Sequence, residues 1–267
     1  MHPLLQQLYD AHERSRLGQF TYGLSLPFRA AKFLVQNAQL VPFVIIPAMI
    51  NIVLFGLSAF LLVTNAGDLV EWLWQKPIVD AMIDYLWVGL WYVAYTLAIL
   101  LAFVLSYVFV LVAGGIVASP FHDLLSEHTE RILCGVDELP EDNEPFFPGM
   151  LRSIGSSAVI GLLYAVLITP ILLLNLIPFA GSAAATVLGS CVSAYFVGLE
   201  YSDPTLQRHG VPLRSKLSLI WDNIPLAGGF GLGTSFLLWV PLLNFACMPI
   251  AVIAGTALGL VLEDAPP

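Results

Sequence analysis

Four long stretches of this chain, residues 33–67, 85–121, 153–199 and 223–262, contain no Asp, Glu, Lys or Arg. A soluble fold cannot hide so much uncharged apolar chain, whereas a helix crossing a bilayer needs only about 20 such residues. The pattern predicts an all-α integral membrane protein, because backbone in lipid must satisfy its hydrogen bonds within helices. Of 267 residues, 58% are hydrophobic and 11% charged. One polytopic membrane domain accounts for that composition, with no separate soluble catalytic domain. The start, His2 to Arg16, is polar where a signal peptide would be apolar, so no cleavable signal is expected.

Residues 1–39 mix Phe20, Leu24, Phe28 and Leu34 with Arg14, Arg16, Arg29 and Lys32. That suits an amphipathic helix at the cytoplasmic membrane interface, or an ordinary solvated N-terminal helix. Residues 40–63 read as the first spanning helix, with Pro42 in its first turn and Pro47 giving a modest kink. Residues 86–118 read as the second. Its roughly 50 Å of helix exceeds a hydrocarbon core of about 30 Å, so it must tilt, project or break at Gly114–Gly115. Between them Trp72, Trp74, Tyr85 and Trp87 form an aromatic belt of the membrane-surface kind.

Residues 119–157 read as a cytoplasmic acidic loop, with Ser119-Pro120 as a helix start and Asp137 to Glu144 as a solvated connection. Residues 158–199 and 224–262 are interrupted by prolines and glycines. Each reads as a helical hairpin whose tip lies in or near the membrane. The tips are alike, Pro170 to Pro178 around Asn175 and Pro241 to Pro249 around Asn244. Interrupted apolar segments in corresponding positions point to a transport path, or to kinks chosen only for packing. Asn175, Pro178, Asn244 and Pro249 are the candidate tip or pathway residues. Basic residues precede the first span (four) and lie between the second span and the last hairpin (five). That asymmetry places both termini and the 119–157 and 200–222 segments in the cytoplasm.

Chemical machinery is scarce. Asp123 and Glu127 lie one turn apart with His122 and His128 beside them, so a metal site is conceivable. The spacing is not HExxH, and Glu127 also stands one turn before Arg131, as in a simple ion pair. A solvated helix is the plainer reading, and no metal or other cofactor is expected. Gly229-Phe-Gly231-Leu-Gly233 follows no strand, so close helix packing explains it better than a dinucleotide fingerprint. Cys134, Cys191 and Cys247 are widely spaced packing residues. A net charge of −9 excludes a nucleic-acid partner. No Ser/His/Asp set, P-loop or paired buried carboxylate is visible, so an enzyme is not expected.

Several segments resemble the CysZ sulfate permeases and the wider etoposide-induced-protein-like family. They are Phe43-Val-Ile-Ile-Pro47-Ala-Met-Ile-Asn51, Ala118-Ser-Pro-Phe-His-Asp-Leu-Leu-Ser-Glu127, Ile177-Pro-Phe-Ala-Gly181, Tyr201-Ser-Asp203, and His209-Gly-Val-Pro212 through Val240-Pro-Leu-Leu-Asn244 to Pro249. The resemblance implies two long transmembrane helices and two hemi-penetrating hairpins in a bacterial inner membrane. It also implies sulfate uptake for cysteine synthesis and assembly into a homo-oligomer, with lipid and a small inorganic anion as partners. The family's Gly-apolar-Arg motif before the first span is absent here, where Asn37 to Pro42 has neither glycine nor arginine. Arg29 and Lys32, one to two turns earlier, are the remaining candidates for anion contact, or else headgroup anchors.

Overall fold

The computed structural model describes residues 1–78, 82–136, 146–177, 180–238 and 241–264. Among them there are helices and no strands. The chain divides into two compact units, Met1–Ile45 with Ser119–Pro267, and Ile46–Ala118. Pro178 lies outside the described residues, as do 137–145 of the acidic connection.

Helix α1 covers Pro3–His12 and α2 Arg16–Gln36, with Ser15 capping α2 through the amide of Gly18. A 3-10 turn, Ala38–Leu40, leads into α3, Val41–Leu73. Helix α4 runs unbroken from Asp84 to Cys134, 51 residues. Of the three alternatives of tilting, projecting or breaking, the break at Gly114–Gly115 does not occur. A helix of that length is more than twice what a hydrocarbon core needs, so α4 projects beyond it. Nor does Ser119-Pro120 start a helix: Pro120 sits inside α4. The expected loop of residues 119–157 thus begins and ends as helix, since α5 occupies Phe146–Leu173. The remaining elements are α6 (Ala180–Arg208), α7 (Leu213–Asp222), α8 (Ile224–Leu238) and α9 (Pro241–Asp264).

Among the described residues five helical segments are long and apolar enough to cross a membrane: Ala38–Leu73, Asp84–Gly114, Gly155–Leu176, Ala180–Arg208 and Cys247–Asp264. They differ in what covers them. Only 6% of the α5 window is buried within the protein, against 72% of the α9 window. Helix α5 is therefore an outer helix and α9 a central one.

Glycine sets the packing of the first unit. Helix α8 presents Gly229 and Gly233 to α2, where an added Cβ would lie 2.3 Å from the Phe20 carbonyl oxygen and 2.5 Å from that of Leu24. Gly231 faces α6, with Ala194 O only 1.8 Å from the same imagined atom. The Gly229–Gly231–Gly233 run is thus a two-sided packing surface, as its sequence context predicts. Leu226, Ala227 and Phe230 fill the space between, each fully buried. Gly255 of α9 approaches Tyr201 of α6 in the same manner.

The second unit pairs the membrane portions of α3 and α4 through small residues. Ala59, Ala66, Ala102 and Ser106 are buried, and Gly67 lies against Tyr95. Asn51 is buried over Gly114, and its Oδ1 has no hydrogen-bond partner among the described residues. At the far end, of the four aromatic residues singled out in the sequence, Trp74 and Trp87 meet, while Trp72 and Tyr85 are exposed. The Trp91 indole donates to the Trp74 carbonyl at 3.1 Å, and the Trp74 and Trp87 rings meet edge to face. Lys76 donates to the Tyr92 hydroxyl at 3.0 Å, its ammonium over the Trp91 ring.

Candidate functional site

The polar groups buried in the first unit converge where α4, α6 and α9 meet. Ser126 and Thr205 hydroxyls lie 3.1 Å apart, and Glu130 accepts from Arg208. Positions 126 and 130 of α4 thus match 205 and 208 of α6, so the two helices run parallel here. Thr256 of α9 joins them, its Oγ1 2.9 Å from Ser126 Oγ. One turn to either side stand Ser202 and Thr129, whose hydroxyls are buried without a partner among the described residues. The result is a seam of hydroxyls about 9 Å long at 1.5 Å per residue.

Charge concentrates at both ends of the seam. At one end Glu130, 2% exposed, accepts from Arg208 and from His209 Nε2, the latter at 2.7 Å. Arg208 also donates to the Asp123 carbonyl at 3.3 Å. His209 Nδ1 donates to Glu263 of α9. A ring with a carboxylate on each nitrogen must donate from both, so His209 is an imidazolium. The Glu130 hydrogen bond chiefly raises its pKa, to about 9, against the opposing effect of burial. At the other end Asp203 accepts from Lys216 of α7 at 2.6 Å and from Ser156 of α5 at 2.8 Å. Both members of the Lys216–Asp203 pair are buried.

Three cations, Arg208, His209 and Lys216, thus border a hydroxyl-rich seam, each held by a carboxylate. Guanidinium and hydroxyl donors suit a small oxyanion, which would have to compete with Glu130 for Arg208.

Residues 26–249 match the family described as Sulfate transporter CysZ/Etoposide-induced protein 2.4. The chain belongs to this family. Among its relatives is "Sulfate transporter CysZ" of Vibrio parahaemolyticus, 27% identical over 252 residues, covering 92% of this chain and 94% of that protein. A protein of the same name from Vibrio cholerae is 27% identical over 248 residues, covering 92% of each. A family of sulfate transporters and a chain of long apolar helices agree on a bacterial multi-pass membrane protein.

The candidates singled out in the sequence lie elsewhere. Arg29 is exposed and engaged locally, donating to Gln7 at 2.9 Å and Ser25 at 3.1 Å and covering the Tyr22 ring. Lys32 is exposed on α2. Asn175 donates to the Leu172 carbonyl at 3.0 Å within the 3-10 turn Leu174–Leu176 that ends α5. Pro249 is buried inside α9, and Asn244 lies on that helix's first turns, its side chain outside the described set.

The His122–His128 segment does not assemble. Glu127 pairs with Arg131, His128 Nδ1 donates to the Leu124 carbonyl at 2.9 Å, and its ring rests on Phe43. Burial lowers the His122 pKa to about 4. Among the described residues no three metal-ligating side chains cluster. Glu130, Arg208, His209, Lys216 and Glu263 were passed over. Their one sequence signal is position: Arg208, His209 and Glu263 stand just beyond the charge-free stretches 153–199 and 223–262, where a charge need not be buried.

Proposed function

We propose that this protein is an inner-membrane permease for sulfate or a related small divalent oxyanion, supplying sulfur assimilation. It acts as a homo-oligomer with both termini in the cytoplasm and performs no catalysis. Family membership supports the class of substrate. The observation that carries the local reading is the buried seam, where Arg208 and His209 offer exchangeable hydrogen-bond donors beside hydroxyls that lack partners. In this reading Glu130 neutralises Arg208 while the path is empty, and the anion takes its place on the guanidinium. Keeping the cations paired at rest avoids an isolated charge in a low-dielectric interior.

Purified protein in liposomes should pass radiolabelled sulfate, and Arg208→Gln should abolish that flux while leaving folded yield measurable. Liposomes no leakier than empty ones, across a panel of small oxyanions, overturn the reading. One observation favours an alternative, a membrane scaffold that keeps the fold without transport. The segment Asn37 to Pro42 lacks the arginine that the family's anion motif carries. Rescue of a sulfate-uptake mutant growing on sulfate as sole sulfur source dismisses the scaffold.

A further inference from the structure

Helices α5 and α6 enclose a cavity of about 220 Å³ lined by Ser157, Ile160, Gly161, Tyr164, Ser193, Phe196, Val197 and Glu200. It lies beside the Asp203 end of the seam, since Ser156, next to Ser157, bonds Asp203, and Glu200 stands one turn before Asp203. Its walls are apolar, and its polar groups are three hydroxyls and one carboxylate. Tyr164 and Ser193 hydroxyls already bond each other at 3.0 Å. Glu200 is exposed to the cavity and has no hydrogen-bond or ion-pair partner among the described residues. An uncompensated carboxylate on a membrane-crossing helix calls for a cation.

Depth and shape select the kind of cation. Arg152 is the last charge before the charge-free stretch 153–199 and Glu200 the first after it, so Ser157 and Glu200 stand near the two ends of that stretch. The cavity therefore lies at headgroup level. A bare metal ion would need an oxygen shell, which Ile160, Phe196 and Val197 deny it. Towards the tip the same face of α5 continues through Ala165 and Leu172, both exposed, a lane for an acyl chain.

We propose that this cavity is a binding site for an aminophospholipid such as phosphatidylethanolamine. The primary ammonium donates to Glu200, the phosphate accepts from Ser157 and the Tyr164–Ser193 hydroxyls, and one acyl chain follows α5. Phosphatidylcholine is disfavoured because its quaternary ammonium carries the charge but has no N–H to give. Phosphatidylglycerol is excluded because it brings only negative charge to a carboxylate.

The test uses the full chain in detergent, delipidated and titrated with each of the three lipids, with bound lipid counted by native mass spectrometry. Phosphatidylethanolamine should bind about tenfold more tightly than either other lipid, the worth of one charge-assisted hydrogen bond. Glu200→Gln should erase that preference. Gly161→Leu, where an added Cβ meets nothing within 4 Å, fills the cavity without a backbone clash and should also erase it. Equal affinity for the three lipids overturns the proposal. So does a Glu200→Gln protein that keeps the preference, or thermal stabilisation of the wild type by sodium ions alone with no lipid selectivity.

Discussion

Replacing Gly231 by alanine tests the account of the helix packing most directly. The new Cβ would sit 1.8 Å from the Ala194 carbonyl oxygen of α6, a backbone atom that no rotamer change can move. Ordinary C···O contact needs about 3.3 Å, so α8 and α6 must separate by roughly 1.5 Å. Overpacking of this kind costs about 1–3 kcal/mol. Alanine returns about 1 kcal/mol through its higher helix propensity, but the separation also strips contacts from Phe230 and Ala227, which are fully buried. A net loss of about 1–2 kcal/mol corresponds to roughly 2–8 °C in Tm for a chain of this size. Gly228→Ala is the control on the same helix. There the nearest foreign atom is Ile224 Cγ1 at 3.9 Å, so propensity acts alone and Tm should hold or rise slightly. Fluorescence-detected size-exclusion after heating in detergent measures both. A Gly231→Ala protein melting within about 1 °C of wild type, or a Gly228→Ala protein falling as far, would refute the packing argument.

Three further outcomes follow from the polar and tip residues. The folded pKa of His209, about 9, lies above the free value of 6.5. Its stabilisation is therefore complete below about pH 6.5 and lost as pH rises through 9. Melting curves from pH 6 to 10 should show that decline, and His209→Gln should flatten it. Lys216→Met leaves Asp203 buried and uncompensated and should cost about 3–5 kcal/mol, whereas Lys216→Met with Asp203→Leu should recover most of the loss; folded yield of the two proteins compares them. Asn175→Leu removes the tether to Leu172. Folded yield should fall and transport per folded protein should stay constant, so normal yield with suppressed transport would make Asn175 a pathway residue instead.

The membrane helices were legible because lipid imposes a rule on each segment separately: no charge and no unsatisfied backbone. The glycines of α8 were legible for a similar reason, since small residues at two- and four-residue spacing read as packing. Pro120 misled. Proline after serine marks the start of many soluble helices, but α4 was already running and carries on past the lost hydrogen bond. Prolines 27, 47, 170, 204 and 249 are also interior to helices here. The seam was illegible in a different way. Glu130 meets Arg208 across 78 positions and Ser126 meets Thr256 across 130. Local periodicity carries no information about which distant polar groups will be brought face to face.

The Tyr9–Asp264 hydrogen bond and the α2–α8 contact join the beginning of the chain to its end. During synthesis at roughly 5–20 residues per second, α8 emerges about 10–40 seconds after α2. For that interval the face of α2 that carries Tyr22, Leu26 and Phe33 lacks its α8 neighbour, although the finished protein buries all three. The opposite face of α2 presents Leu17, Leu24, Phe28 and Val35 to its surroundings even after folding, a second apolar surface on the same helix. Until α8 arrives both faces of α2 are therefore unburied, and a chain truncated ahead of α8 should be protease-sensitive in α2.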